Sequence, residues 1–128
     1  MCGVIDWYGV SDLTAMAHHT AGIDPPGQSR EDLWLGASVL AVPELARQAS
    51  PIAHVHADAP PFFIAHGMND TDVPPAQSEA FAEALRGVGA NVELQLVPGA
   101  GHFWKGLDDQ SALFDEALDF ATRVTQRS

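Results

Sequence analysis

A chain of 128 residues with 46% hydrophobic and 18% charged residues has the composition of one folded domain, not of a disordered acidic tail. Seventeen Asp and Glu against six Lys and Arg give a net charge of −11, which excludes the basic surface that nucleic acid or an anionic membrane requires. The single cysteine, Cys2, excludes an intramolecular disulfide and a cysteine-based zinc site.

Residues 3–8, GVIDWY, predict a short buried strand, β-branched and aromatic, ended by Gly9. A long excursion follows, over residues 9–58. Its stretch HHTAGIDPPGQ is rich in turn formers and lacks periodicity, so His18 and His19 read as solvated loop. Ser29, with Asp32 three residues on, can cap a helix over EDLWLGAS, and Pro43 suits the first turn of a second helix, PELARQ. Excursions of this length are often lids, and residues 13–49 are expected to lie over the strand ends as a partial one. His54 and His56 form an H-x-H pair whose rings would share one face of a strand. No carboxylate stands at suggestive spacing beside that pair, so no metal site is expected.

The second half is more regular. Phe62, Phe63, Ile64 and Ala65 read as a buried strand, and the polar loop GMNDTDVPP follows. Pro75 opens a helix on which Phe81, Ala84, Leu85 and Val88 recur at helical spacing, and Gly87 and Gly89 end it. NVELQLV alternates as a strand and leads into the loop PGAGH. The last helix, 109–125, carries Leu113, Phe114, Ala117, Leu118, Ala121 and Val124 as its core stripe, with Arg123 and Arg127 near its end. No apolar run approaches a membrane span, and no basic region precedes the short apolar start as in a signal peptide, so a cytoplasmic place is the expectation.

Strands alternating with helices imply a parallel sheet with right-handed crossovers, whose chemistry sits in the loops at the carboxyl ends of the strands. Those loops follow Tyr8, His66 and Val97. The second holds Asn69, Asp70 and Asp72, and the third holds His102. A carboxylate on one such loop and an imidazole on the next are two members of a hydrolytic triad: the carboxylate holds Nδ1–H and the other nitrogen acts as general base. By spacing alone, Asp70 as a turn residue and His102 as a loop residue remain the alternative. Trp7 and Tyr8 at the first strand's end are candidates to line a substrate cleft, with core packing as their alternative. Phe103 and Trp104, after His102, are candidates to wall an acyl pocket.

The local motifs carry a resemblance. HGMNDTDVPPAQS, residues 66–78, resembles the H-G-x-x-D-x-x-V-P segment of α/β-hydrolases, and VPGAGHFW, residues 97–104, resembles the segment around their catalytic His. DWYGVSDL resembles the strand end after the nucleophile region, and SPIAHVHADAPPFFIAHG the approach to the acid-bearing strand. The nearest groups are the feruloyl-esterase-like and hormone-sensitive-lipase-like carboxylesterases, then the prolyl-oligopeptidase-type peptidases. The resemblance spans nearly the whole chain and is weakest over residues 13–49. It implies an α/β fold, the C-terminal portion of an α/β-hydrolase parallel sheet of about three strands with flanking helices. Residues 1–128 would form a single partial domain without the nucleophile-elbow half. It assigns Asp70 as acid and His102 as base, makes Asp72 the alternative acid, and places His66 as a structural residue under the acid loop. Gly67 is read as allowing the turn at the strand end.

The departure from the family is the nucleophile. No G-x-S-x-G occurs; Ser11 in GVSDL and Ser38 in GASVL lack the second glycine, and Cys2 precedes a strand where an elbow follows one. The oxyanion-hole segments are missing too. The expected function is therefore the acid and base part of a serine hydrolase that cleaves small or medium carboxylic esters, inactive alone and needing no cofactor. A prolyl-oligopeptidase-type peptidase part and a truncated non-catalytic domain are the alternatives. Without a neighbouring strand, the apolar edge of the first strand predicts a homo-oligomer.

Overall fold

The computed structural model describes residues 2–21, 23–24 and 27–126. Gly22, Pro25 and Pro26 of the turn-rich stretch, and Arg127 beyond the last helix, lie outside the described residues. Three parallel strands, β1 (Val4–Trp7), β2 (Phe62–Gly67) and β3 (Val92–Val97), form a sheet in the order β1-β2-β3. The register pairs Ile5 with Phe63, Trp7 with Ala65 and Gly67 with Val97, so β2 and β3 end level, β1 ends two residues short of them, and the parallel direction puts all three exit loops on one side.

Alternation along the strands splits the core into two layers. Phe63, Ala65 and Val97 pack against Leu113, Phe120 and Val124 of the last helix, α5 (Ser111–Thr125), with Trp104 among them. Ile64, with Phe62, Val92 and Leu94 beside it, packs on the opposite face against Phe81, Ala82 and Leu85 of helix α4 (Ala76–Gly87). Burying one Phe or Leu in such a layer is worth about 1.5–3 kcal/mol, so these stripes hold the helices on the sheet. Phe114 and Leu118, expected in the α5 stripe, are more than half exposed. The stripe that faces the sheet runs Leu113, Ala117, Phe120 and Val124, and both residues fall one position beyond it on the helical wheel. Phe114 still meets Trp7 edge-on, with ring centroids 5.2 Å apart. At the end of α4, Gly89 takes the left-handed conformation (φ 84°), whereas Gly87 closes the helix without a positive φ.

The excursion holds one more helix than the sequence pattern suggests. Helix α1 (Leu13–Thr20) begins at Asp12, whose side chain accepts the Ala15 N–H, and it carries His18 and His19 in its last turn. The expected loop reading fails because only Leu13, Met16 and Ala17 face inward, too few to show as a sequence stripe. Helix α2 (Arg30–Leu35) starts with the expected capping box between Ser29 and Asp32 and stops at Gly36 (φ 83°), short of Ser38. Helix α3 (Pro43–Ala49) has its proline in the first turn. Val39 and Ala46 join Leu13 and Ala17 in a small core of the excursion's own. His54 lies in a 3₁₀ turn (Pro51–His54) and not on a strand, and its Nε2 sits 2.7 Å from the Gln48 carbonyl oxygen. The H-x-H reading is thereby corrected: two prolines, Pro51 and Pro60, leave no strand ladder around the pair. Among the described residues, no group of three or more His, Cys, Asp or Glu side chains is placed to hold a metal ion. No helix among them is long and apolar enough to cross a membrane.

Candidate active site

Asp70 and His102 come from the exit loops of neighbouring strands, and the parallel register brings those loops together. The β2 exit is bound to the β3 exit by the Met68 N–H on the Val97 oxygen and the Asn69 N–H on the Ala100 oxygen, both 2.9 Å. Gly67 permits this contact: a Cβ at that position would collide with the Ala100 carbonyl oxygen and lie 2.7 Å from its carbon. The glycine is needed for close backbone approach, not for the turn that the sequence suggested, since it takes no positive φ.

The Asp70 side chain is 0% exposed, and donors reach both of its carboxylate oxygens. Oδ1 accepts the backbone N–H groups of Asp72 (3.0 Å) and Val73 (2.8 Å). Oδ2 lies 2.8 Å from His102 Nδ1. A carboxylate accepts, so the His102 proton sits on Nδ1 and Nε2 is left with its lone pair. Asp72, the alternative acid, is exposed and gives its backbone N–H to Asp70. His66, the second-last residue of β2, is fully buried and lies beneath the acid loop, with Nε2 3.2 Å from Asp70 Oδ2.

The His102 ring is enclosed by aromatic side chains. Tyr8 meets it edge-on with centroids 4.7 Å apart, and Phe103 does so at 4.5 Å. Tyr8 also touches Trp104, and Trp104 touches Trp7. Tyr8, Phe103 and Trp104 all have positive φ, 48°, 58° and 60°, a conformation that costs bulky residues on the order of 1 kcal/mol each. The contacts among these five rings offset that cost, with each edge-on pair worth about 0.5–1.5 kcal/mol. Phe103 is 69% exposed, whereas Trp104 is 2% exposed and belongs to the core layer with Trp7. The indole Nε1 atoms of Trp7 and Trp104 are buried without a hydrogen-bond partner.

Two adjacent residues of α4 support these loops, and the sequence pattern did not single out either. Gln77 Oε1 accepts the N–H groups of Ser11 (2.9 Å) and Asp12 (2.8 Å), and its Nε2 donates to the Asp12 carbonyl, fixing the β1 exit that carries Tyr8. Ser78 Oγ lies 2.6 Å from His66 Nδ1. Their signal was the run PPAQS within the acid-loop motif, but only tertiary contacts give those two polar side chains a purpose. The excursion touches the acid loop through His19, whose Nε2 donates to the Thr71 carbonyl at 3.0 Å. On β1, burial raises the Asp6 carboxyl above its usual pKa, opposed by the Gly9 N–H that it accepts. The capping carboxylate Asp32 is held below its usual range, first by the Val39 N–H and then by Ser29.

The BD-FAE family model matches residues 1–85. Esterase LipQ of Mycobacterium tuberculosis is 41% identical over 97 residues, which cover 75% of this chain and 22% of LipQ. The solved structure of a truncated form of carbohydrate esterase from gut microbiota superposes with a TM-score of 0.80 at 30% identity, covering 98% of this chain and 43% of that one. A puromycin-hydrolyzing peptidase from Mycobacterium tuberculosis superposes with a TM-score of 0.62 at 28% identity, over 78% of this chain and 15% of that one. The chain therefore spans less than half of the length of each of these relatives. A family model over most of the sequence and a shared fold over nearly all of it lead to one conclusion: the chain belongs to the BD-FAE family, among the esterases of the α/β-hydrolase fold.

Proposed function

We propose that the chain supplies the acid and the base of a serine hydrolase that cleaves carboxylic esters through an acyl-enzyme, with the nucleophile outside these 128 residues. The observation that carries this reading is the 2.8 Å contact between His102 Nδ1 and the buried Asp70 Oδ2. In that arrangement Asp70 holds the tautomer, and His102 Nε2 takes the proton of an attacking serine and passes it to the leaving alcohol. Four serines have hydroxyls committed to other work: Ser11 donates to the Gln77 carbonyl, Ser29 caps α2, Ser50 donates to the Ala46 carbonyl, and Ser78 pairs with His66. Without a nucleophile or an oxyanion hole, the chain by itself is inactive. Exposed Phe103 and half-buried Tyr8 would wall the acyl pocket, with Trp7 and Trp104 packed behind them. Residues 13–49 would cover one side of the cleft, tied to the acid loop by His19. The likeness to a puromycin-hydrolyzing peptidase favours an amide or peptide substrate as the second reading.

The test uses the purified chain, alone and co-expressed with the G-x-S-x-G-bearing upstream part of a related esterase. Alone, it should neither hydrolyse p-nitrophenyl esters nor react with a fluorophosphonate. The reconstituted pair should hydrolyse esters faster than the matching anilides, and His102→Ala should lower kcat by about 10⁴-fold or more. Full kcat in that variant, or a labelled serine in the chain alone, would overturn the proposal. Faster anilide cleavage would select the peptidase reading.

A further inference from the structure

The buried polar residues behind Asp70 form a connected support whose proton positions can be derived. His66 is 0% exposed, and its Nε2 lies 2.7 Å from the Val73 carbonyl oxygen. A carbonyl oxygen only accepts, so Nε2 carries a hydrogen and donates it to Val73. In the singly protonated ring Nδ1 is then an acceptor, and Ser78 Oγ–H donates to it across 2.6 Å. The opposite tautomer would aim an Nε2 lone pair at the Val73 oxygen and at Asp70 Oδ2, 3.2 Å away. Three electron-rich atoms would then converge in a site that excludes water.

Val73 is held at both ends of its peptide units. Its N–H donates to Asp70 Oδ1 at 2.8 Å, and its carbonyl receives the His66 proton. The position of the imidazole therefore sets the position of Val73, and Val73 sets one oxygen of the carboxylate. The ring edge also bounds the other oxygen, Oδ2, which accepts from His102.

We infer that Ser78 and His66 are positioning residues for the Asp70–His102 pair: the Ser78 hydroxyl locks the His66 ring, and the ring locks the carboxylate in line with His102 Nδ1. The consequence for turnover rests on the acid and base reading above, while the positioning itself is a property of the folded chain. Buried hydrogen-bonded networks of this kind specify one geometry because any broken member leaves a polar atom unpaired.

The experiment is NMR of the chain labelled with ¹⁵N-histidine, near neutral pH. The ¹⁵N shifts should show His66 as the Nε2–H tautomer, and His102 should show a downfield Nδ1–H that exchanges slowly with water. Asp70→Ala should remove that signal and so identify it. Ser78→Ala should speed its exchange by about tenfold, the factor expected from one lost net hydrogen bond. Ser78→Thr, which keeps the hydroxyl, should restore slow exchange. If Ser78→Ala does not fold, Ser78→Cys makes the same comparison with a weak donor of similar size. Unchanged His102 exchange in the folded variant, or an Nδ1–H tautomer of His66, would overturn the inference. If the exchange pattern holds but the reconstituted enzyme lacks turnover, the hydrolase reading fails and the positioning stands.

Discussion

Gly67→Ala probes the contact on which the candidate site depends. The added methyl would collide with the Ala100 carbonyl oxygen, lie 2.7 Å from its carbon and 3.0 Å from the Gly101 oxygen. All three atoms are backbone, so no side chain can rotate away. Relief requires the β2 and β3 exits to separate, and a shift of about 1 Å takes the Met68 to Val97 and Asn69 to Ala100 bonds out of hydrogen-bonding range. Losing two net hydrogen bonds costs about 2 kcal/mol, and the residual overpacking adds about 1–3 kcal/mol. The lower unfolded-chain entropy of alanine returns about 0.4–1 kcal/mol. The balance is a destabilisation of about 2–4.6 kcal/mol, or a fall in Tm of about 8–18 °C for a domain of this size. Circular dichroism melts measure the first effect, and loss of the protected His102 Nδ1–H signal measures the second. Gly87→Ala is the control, because nothing lies within 4 Å of a Cβ there, and it should leave Tm unchanged or higher. A Gly67→Ala melt within about 2 °C of wild type, with the His102 signal intact, would refute the close-approach argument.

Two further predictions concern β1. Burial raises the Asp6 pKa above 3.8, so the folded state binds its proton more tightly than the unfolded chain, and stability falls as pH rises through the folded value. Asp6→Asn keeps the acceptor for the Gly9 N–H and should raise Tm near neutral pH but not near pH 3; an equal gain at both would refute the charge argument. The outer edge of β1 has no partner strand among the described residues, and Ile5 beside it is 43% exposed. The chain should therefore associate in solution, and Ile5→Lys should shift it toward monomer. Light scattering on a size-exclusion column that shows wild type as a monodisperse monomer would refute this.

Much of the fold was legible because its signals are local. The apolar run Phe62–Ala65, the alternation in NVELQLV and the helical recurrence from Phe81 to Leu85 each reflect a buried face within one element. The capping box at Ser29 and Asp32 works within a single turn, and the structure shows it. Helix α1 was missed because its amphipathic pattern is only one turn long, and its stability comes from packing against α3 and from the Asp12 cap. Phe114 and Leu118 were misassigned because a helical wheel gives spacing but not the direction of the sheet.

The candidate site divides in the same way. The sequence by itself determined the succession of strands and helices and the parallel direction of the sheet, and hence that the loops bearing Asp70 and His102 leave the same end of it. Those are consequences of periodicity and connection length, which neighbouring residues encode. Only the tertiary structure decided that Asp70 and not Asp72 faces His102, that Gly67 serves backbone approach, and that Trp104 is buried while Phe103 next to it is exposed. It also decided that Gln77 and Ser78, adjacent on one helix turn, brace the neighbouring ends of β1 and β2. These facts depend on contacts between residues far apart in the chain, where an ångström of backbone displacement changes which atoms meet, and no pattern of adjacent residues carries that distance.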